Sequence, residues 1–276
     1  MFVYPEINPI AISIGPVAIA WYGIMYLLGF IAAYVLAGFR VQQDWSPVSK
    51  DQVDDLVFYS VFGVILGGRL GYMIFYDANQ LFSDPISWLI ALPQLWNGGM
   101  SFHGGLLGVL FAAYIFARQT AQPFINVIDF IAPLVPIGLG LGRIGNFING
   151  ELWGGPTDSS IGILVNGTIR HATQLYEATL EGLILFIILW IYTSKKRPIG
   201  FPSAIFLIIY GLFRIFIEFF RLPDAHIGYL FDDWLTLGQL LTLPMMIIGF
   251  WIIISHKLKV KKPGIFLMGR CECNSI

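Results

Sequence analysis

Charge is scarce in this chain. Only 12% of its 276 residues are Asp, Glu, Lys or Arg, against about 25% in an average soluble domain. That shortage, with apolar runs recurring from end to end, excludes a soluble enzyme carrying one anchor. Cysteine is nearly missing: Cys271 and Cys273 are the only two, both within the last six residues. No framework disulfide follows from them, and neither stands near a base that would activate it. HExxH, CxxC and paired-histidine spacings are absent, so neither a metal nor another cofactor is expected. GxSxG and Walker A motifs are also absent. Without an enzyme nucleophile, the attacking group of any reaction is expected to come from a substrate. No basic tract with interleaved aromatics marks a nucleic-acid surface, and the net charge of −1 points to no partner. The first apolar run lacks a basic leader and is long enough to span, so no cleavable signal peptide is expected. No internal repeat is visible.

What is present is apolar. Mean hydropathy is +0.73, and 57% of residues are hydrophobic. The pattern predicts an all-α polytopic membrane protein with about seven transmembrane helices, near 17–39, 54–76, 99–118, 124–147, 173–193, 201–220 and 234–255. Residues 77–98, with Pro85, Trp88, Pro93 and Trp96, read as interfacial. Residues 150–172 read as a small extramembrane module inserted in one integral membrane domain, 1–276. A short hairpin is expected there over Ile161–Val165 and Gly167-Thr168. Residues 256–276 form a tail. Loops after the odd-numbered spans carry eleven of the sixteen Lys and Arg residues. The positive-inside rule then sets the N-terminus and the 150–172 module outside and the C-terminus in the cytoplasm.

Against this background the polar residues stand out. The stretch 138–151 runs from apolar sequence into Arg143, Asn146, Asn149 and Glu151. If 138–150 is helical, Arg143, Asn146 and Gly150 share one face, and the glycines, Gly142 among them, leave it open to close approach. An ionisable residue at such a place is a functional hypothesis by default, because burying its charge in lipid is costly; the structural alternative is an arginine that snorkels to the interface. In the sixth span Tyr210, Arg214, Glu218 and Arg221 form a polar stripe along one face. Two arginines to one glutamate leave a positive surplus, which Arg143 increases; fixed guanidinium forks suit a phosphate. In the fifth span Gln174, Glu177 and Glu181 share a face, and pairing with an arginine of another span is the natural structural reading. Arg69 sits among Gly67, Gly68 and Gly71, with Tyr72 and Tyr76 on its face. It reads equally as a functional cation and as a snorkelling arginine in a small-residue packing motif. His103, flanked by glycines at the edge of the third span, suits proton transfer near neutrality or a purely structural hydrogen bond.

The segment Gly142-Arg143-x-Gly145-Asn146-Phe147-x-Asn149-x-Glu151-x-x-Gly154 resembles the signature of the bacterial prolipoprotein diacylglyceryl transferases. The resemblance extends to Phe102-His103-Gly104-Gly105 and to Tyr210-Gly211-x-x-Arg214-x-x-x-Glu218-Phe219-Phe220-Arg221, so it covers most of the chain. It implies an enzyme of the bacterial cytoplasmic (inner) membrane, with its site on the outer, periplasmic side. Its partners would be the lipid bilayer, phosphatidylglycerol and a prolipoprotein signal peptide with its lipobox cysteine. The reaction implied moves the diacylglyceryl group onto the cysteine thiol and releases glycerol phosphate. The resemblance further implies catalytic roles for His103, Arg143 and Arg214, and substrate contacts by Arg143, Asn146, Glu151, Tyr26, Gly142, Tyr210, Glu218 and Arg221. Glu151 rivals His103 as acceptor of the thiol proton. The alternative class is a small anion or lipid transporter, which calls for a polar path across the full membrane. An intramembrane protease would need a serine–histidine, paired-aspartate or metal site.

Overall fold

The computed structural model describes residues 2–260, apart from 16, 96–97, 223–227, 229 and 231–234. Trp96, and the tail from 261 onward with Cys271 and Cys273, lie outside the described residues. One short strand and a hairpin precede the helices: β1 (Phe2–Val3), then β2 (Ile10–Ile14) paired with β3 (Val17–Ala20). The first span was expected from about 17; strand β3 occupies residues 17–20, and helix α1 begins at Trp21 and ends at Arg40. Hydropathy averages over this boundary, because apolar strand and apolar helix weigh the same.

Next come α2 (Val53–Tyr76), the short interfacial-type helices α3 (Ala78–Ser83) and α4 (Pro85–Ala91), and α5 (Phe102–Gln119). Asp84 caps α4 by accepting from Ser87 N at 3.1 Å, and these bonds hold its carboxyl below the usual range. Helices α2 and α5 pack through glycine: Gly63, Gly67 and Gly71 face Gly104 and Gly108. A Cβ on Gly67 or Gly71 would sit 2.7 Å from the Cα of Gly108 or Gly104, so the two backbones meet directly. This is small-residue packing at four-residue spacing, the geometry that replaces hydrophobic burial where the solvent is lipid.

The fourth predicted span is not one helix. It breaks into α6 (Phe124–Ile131) and α7 (Val135–Ile148), bent by 50°. Pro133 and Pro136 supply no backbone N–H, and Pro136 sits at the start of α7, where the missing donor costs nothing. Residues 150–172 hold β4 (Ile163–Val165) and β5 (Thr168–Arg170), so the expected hairpin exists, its first strand shorter by two residues and its second running on to Arg170. Its turn uses positive φ at both Asn166 (47°) and Gly167 (78°), the mirror-image turn that matches strand twist. Strand β1 adds parallel to β4, Phe2 opposite Ile163. The all-α expectation therefore holds for the long apolar helices, while the chain also forms two small sheets.

The fifth span runs through α8 (Thr173–Glu177), a π-helical segment (Ala178–Ile184) and α9 (Leu185–Tyr192). Helices α10 (Phe201–Glu218) and α11 (Leu237–Val260) complete the described chain. Among the described residues five helices are long and apolar enough to cross a membrane, or six if the bent α6–α7 pair counts as one span. Their outer faces carry exposed Phe62, Ile191, Ile247 and Trp251, as lipid-facing surfaces do. A buried cluster of Ala37, Leu56, Phe116, Val127 and Phe130 ties α1, α2, α5 and α6 together at one end of the bundle. The polar cluster described next occupies the other end.

Candidate active site

Helix α7 ends in a Schellman motif. Gly150, at φ 69°, donates to Phe147 O at 3.1 Å, and Glu151 N donates to Asn146 O at 3.0 Å. Gly150 is thus outside the helix, and the expected three-residue face reduces to Arg143 and Asn146. The motif folds Glu151 back over Asn146, which donates Nδ2 to Glu151 Oε2 at 3.3 Å; Asn149 Nδ2 reaches Oε1 at 3.2 Å. Gln174 Nε2 donates to the Glu151 carbonyl, and Thr173 Oγ1 to that of Leu152 at 2.9 Å. The start of α8 therefore grips the end of α7. Tyr4 adds a clamp, its hydroxyl donating to Phe147 O and Ile148 O at 2.8 and 2.9 Å. Burial raises the Tyr4 hydroxyl above its usual range, so it stays a donor.

One turn into α8, Glu177 is fully buried, and three arginines converge on it. Arg214 Nη1 lies 2.5 Å and Arg221 Nη1 2.9 Å from Oε1, and Arg143 Nε lies 3.1 Å from Oε2. Arg214 also reaches Glu218 at 3.1 Å and Glu181 at 3.9 Å, and Arg221 reaches Glu218 at 3.5 Å. Thr236 donates to the far oxygen of Glu218 at 2.9 Å. The expected positive surplus is corrected here. Arg143, Arg214 and Arg221 are matched by Glu177, Glu181 and Glu218, three to three, because buried cations must be paired to be tolerated.

The arginines are not equivalent, however. Arg214 and Arg221 are spent on carboxylates and are 14% and 12% exposed, whereas Arg143 is 25% exposed. Its closest approach to Glu177 is through Nε, and its two terminal nitrogens hold no hydrogen bond among the described residues. Gly142 beside it is open: an added Cβ would meet nothing within 4 Å. One fork of a fixed guanidinium thus faces free space.

The other expected residues fall around this cluster. Tyr210 stacks on Phe206 (5.8 Å, 4°) and lies in electrostatic reach of Glu181, Arg214 and Arg143. Tyr26 is half-exposed on α1, its hydroxyl 3.3 Å from that of Tyr22, which packs on Gly145 of α7. His103 is exposed in the first turn of α5, edge-on to Phe102. No hydrogen bond or ion pair joins it to the arginine cluster among the described residues. Gly154, from the motif, is locked in place: it pairs with Arg221 in a β-bridge, and an added Cβ would meet Thr173 at 2.7 Å and His171 at 2.9 Å.

A family model described as prolipoprotein diacylglyceryl transferase matches residues 9–255. This chain belongs to that family. Among curated relatives, the phosphatidylglycerol–prolipoprotein diacylglyceryl transferase of Solidesulfovibrio magneticus is 53% identical over 258 residues, covering 92% of this chain and 96% of that protein. The protein of the same name from Legionella pneumophila strain Corby is 51% identical over 255 residues, 91% and 98% of the two chains. That from Francisella tularensis is 48% identical over 266 residues, 95% and 98%.

Membership in the transferase family leaves two residues to be placed by structure alone. Glu177 organises the cluster, yet in the sequence it is one glutamate in the fifth span, pairable with any arginine. The signal was its face, shared with Gln174 and Glu181, and both of those also belong to the site. Arg69 settles the other way. It is buried, donates to the carbonyls of Ala91, Gly98 and Gly99, and neither snorkels nor joins the cluster. It fastens the loop that leads into His103.

Proposed function

We propose that this protein transfers the diacylglyceryl group of phosphatidylglycerol to the lipobox cysteine thiol of a prolipoprotein. The observation that carries this is the free fork of Arg143, held by buried Glu177 in the signature segment of a transferase family. In the reaction a substrate thiolate attacks the diacylglyceryl carbon that bears the phosphate. The C–S bond forms, the C–O bond breaks, and the electron pair leaves on the phosphate oxygen of glycerol phosphate. Charge on that phosphate rises as the bond breaks, so guanidinium donors fixed beforehand bind the transition state more strongly than the ground state. Arg143 supplies the open fork. Arg214 and Arg221 add charge while Glu177, Glu181 and Glu218 hold them rigid. Asn146 and Glu151 fix the end of α7, and Gly142, Tyr26 and Tyr210 border the space the lipid occupies. His103 takes the thiol proton, since the thiolate is the nucleophile, with Glu151 the rival base. The test is purified protein with labelled phosphatidylglycerol and a lipobox peptide. A thioether-linked diacylglyceryl peptide with glycerol phosphate released in equal amount is expected, and no transfer would overturn the reading.

Replacing Arg143 by lysine keeps the charge and removes the fork. A bidentate contact to a charged group then becomes a single one, costing about 2 kcal/mol, or roughly 30-fold in turnover. Near-normal turnover by a stably folded Arg143→Lys protein would reduce Arg143 to a counter-charge.

We also propose that α5 is a crossing, which makes seven spans in a bacterial inner membrane, with the N-terminus and the active site on the outer face and the tail from 256 in the cytoplasm. The eleven-to-five distribution of basic residues supports this orientation. Single cysteines placed at Ser159 and Ser194 should then react with an impermeant thiol reagent from opposite sides. Labelling of both from one side would overturn the topology.

A further inference from the structure

At the end of the bundle remote from the arginine cluster lies a cavity of about 390 Å³. It opens among the ends of α1 and α9, α6 and the start of α10, and nothing in the transfer reaction uses it. Its charged lining is Arg40, Lys195, Lys196 and Arg197 against Asp44 and Asp129, four cations to two carboxylates, a formal surplus of two positive charges. One carboxylate is already committed. Asp129 accepts from Gly200 N at 2.6 Å and from Ser203 N and Oγ at 3.0 and 2.5 Å, so its oxygens cap α10, and it acts on Arg40 only from beyond ion-pair distance.

Arg40 is the decisive group. It is only 7% exposed, yet among the described residues no carboxylate lies within ion-pair distance. Its Nη1 donates to Thr193 Oγ1 at 2.7 Å, its guanidinium stands 5.4 Å over the Phe130 ring, and its Nε is buried with no partner. A buried guanidinium with no carboxylate in direct contact is costly, and here it lines a cavity large enough for a small ligand. Arg197, fixed over Tyr192 and donating to the Tyr192 carbonyl at 2.6 Å, holds a second guanidinium at the rim. Lys195 and Lys196 stand exposed beside it.

We propose that this cavity is a second anion site, built for a phosphate group, with Arg40 as its floor and Lys195 and Lys196 at its mouth. A phosphate accepts from several donors at once and supplies the contact charge that Arg40 does not get from Asp129. The phosphate can belong to an anionic lipid headgroup or to a soluble compound, and the two sources separate experimentally.

The test uses the full chain purified in detergent or in nanodiscs, with Lys195→Gln/Lys196→Gln as the variant, since both side chains are exposed and far from the transferase cluster. In the first arm, inorganic phosphate is titrated while thermal stability is followed. In the second, native mass spectrometry counts lipids retained from phosphatidylserine against phosphatidylcholine. The site predicts that the variant binds one of these probes roughly tenfold or more weakly than the wild type. Weakened phosphate response marks a soluble ligand, and loss of one retained phosphatidylserine with no phosphate response marks a headgroup. Thr193→Val, which removes the acceptor orienting Arg40, should weaken the same probe, and both losses should persist in an Arg143→Gln background, which removes phosphate binding at the transferase cluster. Equal binding by wild type and both variants, absence of binding by either probe, or a response abolished only by Arg143→Gln would each overturn the proposal.

Discussion

Replacing Glu177 by glutamine is expected to cost both stability and turnover. The amide has nearly the shape of the carboxylate but no charge. Three guanidinium groups converge on this one side chain, two of them within 3 Å of a single oxygen. Removing one partner of a buried ion pair typically costs 3–5 kcal/mol, because the remaining charge stays buried without compensation. Here the remaining charges are three, facing only Glu181 and Glu218. Arg143 has no other carboxylate within ion-pair distance among the described residues, so its fork should lose its aim first. The measurement is a pair: thermal unfolding of the detergent-solubilised protein and turnover with saturating phosphatidylglycerol. We expect a clearly lowered midpoint and a turnover loss of at least a hundredfold. Glu177→Asp, which keeps the charge and shortens the reach, should recover stability more than rate. Wild-type unfolding and rate in Glu177→Gln would mean that the arginines are held by something else.

His103→Gln should lower turnover by roughly 10²–10⁴-fold, the usual contribution of a general base, with stability unchanged. His103 is exposed and unbonded to the cluster, so its loss leaves no buried group stranded. The deficit should shrink as pH rises toward the free thiol value of about 8.5, because more of the peptide is then already thiolate. A structural histidine would behave otherwise, with lowered stability and a rate deficit that ignores pH. A constant ratio of wild-type to variant rates between about pH 6.5 and 9 would remove His103 from proton transfer and move the role to Glu151 or to water.

What could be read from the chain, and what could not, divides along one physical line. Local periodicity placed the ends of α2 within a residue and recognised residues 77–98 as something other than a crossing. The polar groups of α7 and α10 announced themselves because ionisable residues in apolar sequence have so few innocent explanations. The bend between α6 and α7 was legible in Pro133 and Pro136, yet a hydropathy window long enough to find a span is too long to see a break inside it. The hairpin of β2 and β3 was lost for the same reason. The convergence on Glu177 was of another kind. It joins residues 34 to 44 positions apart across three helices, and charge pairing across that distance depends on which faces meet. The π-helical turn after Glu177 has no sequence signature at all. It lies where Gly182 packs on the backbone of Gly140, whose Cα would stand 2.7 Å from an added Cβ.

The pairing of β1 with β4 also has a consequence in time. Phe2 leaves the ribosome first, but its partner Ile163 follows 161 residues later, an interval of roughly 10–30 s at ordinary synthesis rates. Through most of that interval Tyr4 has no helix end to hold, since α7 itself is not finished until Ile148. The clamp on the signature segment therefore closes only after most of the membrane part has been made. A nascent chain stalled before β4 would carry all three residues of Gly142-Arg143-Ile144 and still present them on an unfastened helix. Activity should thus arrive late and all at once in synthesis, rather than growing with each inserted span.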